Sequence, residues 1–427
     1  MITTMQNKNS FPITDDQISN IFSPLINKKK IALAVSGGRD SNALMLLVSK
    51  WILIKILNIE VHVLTINHKL RKESDNECLQ VSKIAKSYGF KHKIITWSHK
   101  EIKTSIQEQA REARYKLMLN YLKKYEIDVL LTGHTLDDQV ETFIMRLSKG
   151  SGLDGLRSIQ KDRVIDQITL HRPLLGIKRS MTTKILECSN KEWIDDPYND
   201  DLRFERIKIR KNLHYLENLN ITHESINKSI SRLTRSQEAI KNNVNKLFFN
   251  LVEINNLGYL TIKRPQIDNI HEDFIIRILQ RCLGIVSGGK RVSLSSLETV
   301  YNDMIRTCKS KTISGCIIKV LSDRYVVARE IRDFKSMYLK SGDEITWDNR
   351  FNILLKSSAN DALIIKNLGA SNYLKNYCQD TYLENLPKYI INALPGGFIK
   401  DKLVLLPNIH NIYSSSDLIV KFKLLEE

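Results

Sequence analysis

Short apolar runs alternate with amphipathic segments from about residue 30 to residue 173 of the chain. The apolar runs predict strands at residues 31–35, 59–66, 93–97, 127–132 and 168–170. The amphipathic segments predict helices at residues 42–48, 76–88, 105–125 and 136–147. This repeated order of strand and helix favours a parallel sheet with helices on both faces, so we expect an α/β domain.

The alternation stops after about residue 214. Residues 222–252, 271–283 and 293–307 predict helices, and residues 313–321, 325–329, 344–347 and 352–355 predict strands. We therefore expect an N-terminal extension at residues 1–29 and the α/β domain at residues 30–214. A mainly helical domain is expected at residues 215–340, and a smaller mixed α+β region at residues 341–427.

Composition and charge narrow the class of protein. Of the 427 residues, 42% are hydrophobic and 26% are charged, which is typical of a folded protein. The formal net charge of +18 favours a polyanionic partner, although a generally basic proteome would give the same excess. The six cysteines are scattered without a Cys-x-x-Cys pair, as in a protein with reduced thiols. We find neither a secretory signal nor an apolar run of about 20 residues, so we expect a cytoplasmic protein with no membrane segment.

The turn after the first predicted strand carries the strongest chemical signal. Residues 36–41 read Ser-Gly-Gly-Arg-Asp-Ser and lead directly into a predicted helix. Backbone N–H groups at a helix N-terminus bind phosphate groups well. The candidate nucleotide-binding residues are Ser36, Gly37, Gly38, Arg39, Asp40 and Ser41. Because a carboxylate beside phosphates needs a cation, we expect Asp40 to be a Mg²⁺ ligand. An ordinary strand-to-helix turn is the alternative, and the chain contains no Walker A motif.

A second cluster follows the fourth predicted strand. His134 comes just after the strand, and Asp138 and Glu141 lie three residues apart at the start of the next helix. Their carboxylates therefore share one helix face and suit a cation, either Mg²⁺ or an ammonium group. Stabilisation of the helix dipole is the alternative explanation for these acids. His68, which follows the second predicted strand, is expected at the same edge of the sheet.

These motifs resemble those of a known enzyme family. The loop at residues 36–41 is similar to the pyrophosphate loop of the N-type ATP pyrophosphatases. Residues 133–156 extend the likeness to the tRNA(Ile)-lysidine synthase family. Further matches occur in the family's order at residues 67–71, 108–115, 172–175, 193–201 and 203–210. The resemblance covers residues 30–210 and implies an adenine nucleotide alpha-hydrolase-like, Rossmann-like N-terminal domain.

The resemblance also implies an activity. Members of this family use ATP to adenylate the wobble cytidine of an isoleucine tRNA with a CAU anticodon, and free L-lysine then displaces AMP. The resemblance assigns ATP and Mg²⁺ to the first loop and lysine to Asp138 and Glu141. It places His134 at the wall of the site, and Arg111 or Arg114 beside the phosphates or the activated base.

A basic run near the end of the α/β domain is a candidate tRNA contact. It contains Arg203, Arg206, Lys208 and Arg210, and Lys208 and Arg210 alternate with isoleucines as on one face of a strand. A solvated edge strand would give the same pattern. Lys149, which follows the acidic helix, is either a further tRNA contact or part of an ordinary helix end.

Two other functions stay open at this stage. One is a tRNA thiolase or another adenylating enzyme with the same loop, although such thiolases usually carry paired cysteines. The other is a non-enzymatic RNA-binding protein, which the intact Asp40, Asp138 and Glu141 argue against. The sequence does not define the oligomeric state and is compatible with a homodimer.

Overall fold

The structure is a computed structural model that describes ten stretches of the chain. They are residues 11–69, 73–98, 106–194, 203–267, 269–332, 334–355, 363–369, 386–399, 402–405 and 418–422. The described chain divides into two compact units, Met1–Gln237 and Glu238–Glu427.

The helices and strands are as follows. The helices are α1 (Asp15–Phe22), α2 (Arg39–Lys55), α3 (Ser74–Ser87), α4 (Ile106–Lys124), α5 (Leu136–Leu147), α6 (Leu153–Leu156), α7 (Arg179–Glu187), α8 (Glu205–Asn218), α9 (His223–Leu251), α10 (Glu272–Ser287), α11 (Leu294–Tyr301) and α12 (Lys388–Ile391). The strands of the first unit are β1 (Lys30–Ala34), β2 (Glu60–Asn67), β3 (Lys91–Thr96), β4 (Val129–Thr132), β5 (Asp162–Ile165) and β6 (Ile168–His171). Those of the second unit are β7 (Val252–Ile254), β8 (Leu260–Lys263), β9 (Lys311–Ile313), β10 (Cys316–Val320), β11 (Arg324–Arg329), β12 (Met337–Leu339), β13 (Glu344–Trp347), β14 (Phe351–Leu355), β15 (Leu363–Asn367), β16 (Pro395–Ile399), β17 (Lys402–Leu405) and β18 (Leu418–Phe422).

The first unit is built on a six-stranded sheet with the order β3-β2-β1-β4-β6-β5. The first five strands in this order are parallel, and β5 pairs antiparallel with β6 at the edge. The central strand β1 lies between β2 and β4, with Ala34 opposite Leu64 and Thr132. The carboxyl ends of β1, β2 and β4 therefore meet at one sheet edge, where α/β proteins bind ligands. This confirms the predicted parallel α/β domain.

The N-terminal residues belong to the core of this unit. Ile18 and Phe22 of α1 are fully buried, and the Phe22 ring lies 5.4 Å from the ring of Trp51 on α2. Thr14 closes a capping box with Gln17 at the start of α1. Residues 13–25 are thus part of the α/β unit, and the predicted separation of an N-terminal extension at residue 29 is wrong.

The second unit contains three antiparallel sheets, with the orders β7-β8-β11-β10-β9, β12-β15-β16-β17 and β13-β14-β18. The five-stranded sheet and helices α10 and α11 share one apolar core, which includes Leu260, Leu279, Val300 and Val327. Because β7 to β12 lie within residues 215–340, this segment is mixed α and β rather than mainly helical.

Two further local differences concern the site. Residues 207–210 lie in helix α8, so their alternation of basic and apolar side chains does not mark a strand. Strand β5 was not predicted, because three of its four residues are exposed and it lacks an apolar run. No helix among the described stretches is both long and apolar enough to cross a membrane. The five cysteines of the described chain are free thiols, and Cys378 lies outside those residues.

Candidate active site

The loop between β1 and α2 is held in shape by the conformation of Gly37 and by hydrogen bonds to its backbone. Gly37 has a φ of +88°, and a Cβ at this position would lie 2.6 Å from Cδ1 of Ile194, so only glycine fits. The carbonyl of Gly37 accepts hydrogen bonds from Nδ2 of Asn42 (3.0 Å) and from the N–H of Ile194 (3.0 Å). These two hydrogen bonds therefore fix the shape of the loop.

The start of α2 carries the donors that an anion requires. The first intrahelical bond runs from the N–H of Asn42 to the carbonyl of Gly38 (3.0 Å). The N–H groups of Arg39, Asp40 and Ser41 come before it and have no partner within the helix. The Ser41 hydroxyl also donates to the Gly38 carbonyl at 2.8 Å, which tightens the turn. The arrangement is that of a phosphate-binding helix N-terminus.

The turn after β4 packs directly against this loop. A Cβ on Gly133 would lie 2.8 Å from the carbonyl oxygen of Asp40, so residue 133 must be glycine for the two segments to touch. This contact brings His134 and the start of α5 beside the first loop. The imidazole Nδ1 of His134 lies 2.8 Å from the Thr132 hydroxyl. The sequence prediction that both motifs share one sheet edge is confirmed.

The two predicted acids on α5 differ in their surroundings. Asp138 Oδ2 accepts hydrogen bonds from the N–H (2.8 Å) and the hydroxyl (3.1 Å) of Thr135, so Asp138 also caps its own helix. Glu141 is fully buried. A buried carboxylate needs cationic partners, and the structure supplies them from outside α5.

Arg179, the first residue of α7, joins the three acids of the site. Its guanidinium donates to Glu141 Oε1 (3.0 Å) and Asp138 Oδ1 (3.2 Å), and its Nε lies 3.3 Å from Asp40 Oδ2. Its backbone N–H donates to Asp137 Oδ2 at 2.7 Å. The guanidinium is only 12% exposed. One cation therefore ties the nucleotide loop to the acidic helix.

Two arginines of α8 complete the surroundings of Glu141. Arg210 Nε donates to Glu141 Oε1 at 2.8 Å, and Arg206 Nε lies 3.4 Å from Oε2. Arg206 also donates to the Thr142 hydroxyl at 3.1 Å. These arginines lie four residues apart and so share one face of α8, which points at the acidic helix.

Burial and charge act in opposite directions on the ionisable groups. Burial alone would raise the pKa of Asp138, but the Arg179 guanidinium and the hydrogen bond from Thr135 outweigh it and lower that pKa. Burial lowers the pKa of His134 to about 4, since Asp138 offsets only part of the effect and Arg172 and Arg111 add to it. His134 is therefore a neutral imidazole at pH 7.

The surroundings of Asp40 suit a metal ion that also binds phosphate, and not a metal ion that is held by protein ligands alone. Its Oδ1 accepts a hydrogen bond from the Thr182 hydroxyl at 2.5 Å, and its side chain is 21% exposed. Within the described chain, no group of three or more His, Cys, Asp or Glu residues could hold a metal ion. Mg²⁺ usually takes one or two carboxylates and completes its shell with phosphate oxygens and water. A single ligand from Asp40 fits that pattern.

The remaining predicted residues of the pocket lie around this centre. His68 follows β2, with its Nε2 3.3 Å from Nη2 of Arg114 and its ring edge-on to Trp97. Arg111, one turn before Tyr115 on α4, places its guanidinium 5.3 Å from the centre of the Tyr115 ring. Helix α4 thus carries both predicted arginines towards the carboxyl edge of the sheet.

The predicted tRNA-binding residues differ in their local contacts. Lys149 pairs with Glu205 at 2.7 Å, and Lys208 is exposed on α8. Arg203 precedes α8 and is also exposed. Arg206 and Arg210 contact Glu141 instead of facing only solvent. Of the motifs quoted above, residues 70–71 and 195–201 lie outside the described residues.

Sequence reasoning missed Arg179 and Thr182. Both contact Asp40 although they lie about 140 positions away along the chain. An arginine at a helix start is not a recognisable local signal, because the helix dipole disfavours a cation there. Only the fold brings it to the acids.

The chain is similar to several known proteins. Residues 12–217 match the PP-loop domain family. The chain is 32% identical over 357 residues to the tRNA(Ile)-lysidine synthase of Wolbachia pipientis wMel, covering 82% of this chain and 83% of that protein. It is 33% identical over 398 residues to the tRNA(Ile)-lysidine synthase of Orientia tsutsugamushi (strain Boryong), covering 89% of each. Among solved structures, the U34-tRNA thiolase NcsA from Methanococcus maripaludis aligns with a TM-score of 0.44 and 20% identity over 51% of this chain and 76% of that one.

Proposed function

The chain belongs to the tRNA(Ile)-lysidine synthase family, and from that premise we propose the reaction that its site performs. The protein is an ATP-dependent ligase that joins free L-lysine to the wobble cytidine of an isoleucine tRNA with a CAU anticodon. The observation that carries the proposal is the set of contacts that Arg179 makes with Asp40, Asp138 and Glu141. These contacts support the proposal because they bring the loop at residues 36–41 and the acids of α5 within one side chain of each other.

ATP binds at the loop of residues 36–41. The free N–H groups at the start of α2 hold the pyrophosphate part, and the serine hydroxyls add donors. Asp40 would hold Mg²⁺, which neutralises phosphate charge when bound. Because a carbonyl oxygen is a weak nucleophile, positioning and charge neutralisation must supply most of the catalysis.

Activation and ligation are two displacements. The ring-carbonyl oxygen of the cytidine attacks the α-phosphorus of ATP, the bond to the β-phosphate breaks, and pyrophosphate leaves. An amino group of lysine then attacks the activated ring carbon, the carbon–oxygen bond breaks, AMP leaves and the attacking nitrogen loses a proton. We propose that His134, neutral at pH 7 because of its lowered pKa, accepts that proton. Arg111 or Arg114 is proposed to contact the phosphates or the activated base.

Lysine binds through one of its two ammonium groups at Asp138 and Glu141, which leaves its other amine free to attack. Support comes from the cation that the acids already hold, since the Arg179 guanidinium contacts both carboxylates. An ammonium entering this cluster takes over part of those contacts. Substitution of either acid is therefore expected to raise the lysine requirement far more than the ATP requirement.

The tRNA contacts are proposed for Lys149, Arg203, Arg206, Lys208 and Arg210. Lys208 and Arg203 are exposed, and loss of one phosphate contact reduces the salt slope of binding by about 1. The proposal places the protein in the cytoplasm. A homodimer is compatible with these assignments, and light scattering of the purified protein distinguishes it from a monomer.

One incubation tests the proposal. The protein is mixed with ATP, Mg²⁺, radiolabelled lysine and a CAU-anticodon tRNA, and a tRNA with a CAG anticodon serves as the control. We expect label in the CAU tRNA only, together with equimolar AMP. Absence of label from the CAU tRNA, or label that requires a sulfur donor, would overturn the proposal, and the second result would favour the thiolase alternative.

A further inference from the structure

Arg172 is a buried arginine at the edge of the sheet to which the proposal above gives no role. It follows β6 directly, where His171 pairs with Leu131 of β4. Arg172 is only 5% exposed. Because β4 is the neighbour of β1, Arg172 lies about two strand spacings, roughly 10 Å, from the nucleotide loop.

The protein partners of this guanidinium are neutral. Nη1 donates to the carbonyl of Gln160, and the phenol of Tyr115 faces the group. The buried Nε has no hydrogen-bond partner. In the part of the chain that the structure describes, Arg172 forms no ion pair. A buried arginine with an unused donor and no carboxylate is rare, because a buried charge is normally paired.

The charges around Arg172 are of its own sign. Arg111 and Arg163 lie close enough to lower its pKa, after the larger effect of burial, and Arg172 in turn lowers the pKa of His134. Arginine stays protonated in proteins, so the group cannot relieve this cost by losing its proton. The cost is removed only when an anion enters.

We propose that Arg172, with Arg111 beside it, forms a phosphate-binding subsite separate from the loop at residues 36–41. The fork of an arginine matches phosphate oxygens, and the free Nε leaves one side of that fork available. This inference rests on the proposed function for the identity of its ligand. The phosphate is either the α-phosphate of ATP and of the adenylate, or a phosphodiester of the tRNA next to the reacting cytidine.

Binding measurements on Arg172→Gln separate the two sources without any turnover. AMP carries only the α-phosphate, and inorganic pyrophosphate probes the loop. For an α-phosphate ligand, we expect at least tenfold weaker binding of AMP by calorimetry and unchanged binding of pyrophosphate. For a tRNA ligand, AMP binding is unchanged, tRNA binding weakens, and the salt slope of tRNA binding falls by about 1.

Matched variants distinguish binding from folding. Arg163→Gln removes an exposed arginine from the neighbouring strand β5 and is expected to change none of these affinities. Arg172→Gln is expected to raise the melting temperature of the ligand-free protein, since it removes an unpaired buried charge. If Arg172→Gln does not fold, Arg172→Lys takes its place in the binding measurements. Lysine keeps the charge but loses the fork of the guanidinium, so an intermediate affinity is expected.

The outcomes are decisive in both directions. Unchanged affinity for AMP and tRNA in Arg172→Gln, or a loss no larger than that of Arg163→Gln, would overturn the subsite. A lower melting temperature in Arg172→Gln with unchanged affinities would show that Arg172 only supports the fold. A protein that binds phosphate through Arg172 but incorporates no lysine would refute the proposed function and leave the subsite standing.

Discussion

Replacing Arg179 with methionine tests the centre of the site. The substitution removes a guanidinium that contacts Asp40, Asp138 and Glu141 together, at distances of 3.3, 3.2 and 3.0 Å. Methionine keeps most of the apolar stem, so the change is mainly one of charge. The three carboxylates are then left in a poorly hydrated site with fewer cations.

The magnitude follows from burial. Removing one partner of a buried ion pair typically costs 3–5 kcal/mol, and we expect a loss in unfolding free energy of about 3 kcal/mol at pH 7.5. In the wild type, the lowered pKa of Asp138 contributes stability above its unfolded pKa of about 3.8, and this is lost as pH falls through the folded pKa. In the variant, burial is opposed mainly by Thr135, so the pKa of Asp138 rises and protonation at low pH relieves the cost. The difference in unfolding free energy between the wild type and the variant should therefore narrow as pH falls from about 6 to 4.

Urea unfolding followed by circular dichroism at pH 7.5, 6 and 4.5 measures this gap. Lys149→Met is the control, because its pair with Glu205 is largely exposed and is expected to contribute less than about 1 kcal/mol at every pH. A loss below about 1 kcal/mol in Arg179→Met, or a loss that does not change with pH, would refute the assignment of Arg179 as the cation of the cluster.

Three further predictions concern single positions. Gly133→Ala should lower the unfolding free energy by about 2 kcal/mol and abolish ATP binding, because its Cβ would clash with the carbonyl of Asp40. Gly152→Ala, whose Cβ would lie in open space, should change neither the stability nor the ATP affinity; urea titration measures the first and calorimetry the second. Because the pKa of His134 is about 4 when folded and about 6.5 when unfolded, this residue should remove up to about 3 kcal/mol of stability as pH falls from 6.5 to 4; a His134→Gln variant with the same pH slope would contradict this. Asp138→Asn should raise the KM for lysine far more than the KM for ATP, and equal effects in steady-state assays would count against lysine binding there.

The α/β core could be predicted from the sequence because its signals are local. Apolar runs such as the one that forms β1 are too short for helices, and each is followed by an amphipathic segment, so the order of elements is visible along the chain. The loop at residues 36–41 and the acids of α5 follow strand ends, which meet at one edge in any parallel sheet.

The parts that the sequence did not reveal depend on tertiary contacts. Arg179 and Thr182 reach Asp40 only because α7 packs against α2. Helix α8 was open to interpretation as a strand, since isoleucines alternate with basic residues, and only the pairing of Arg206 and Arg210 with Glu141 explains their spacing of four. The N-terminal helix carries only two buried apolar residues, Ile18 and Phe22, too few to mark it as part of the core.

Hydrogen–deuterium exchange with α,β-methylene ATP most directly tests the claim that the loop at residues 36–41 grips the nucleotide. The expected result is slower exchange in the peptide that spans this loop and the start of α2, with the same protection caused by pyrophosphate alone. Nucleotide binding with unchanged exchange in that peptide, and protection elsewhere in the chain, would contradict the account.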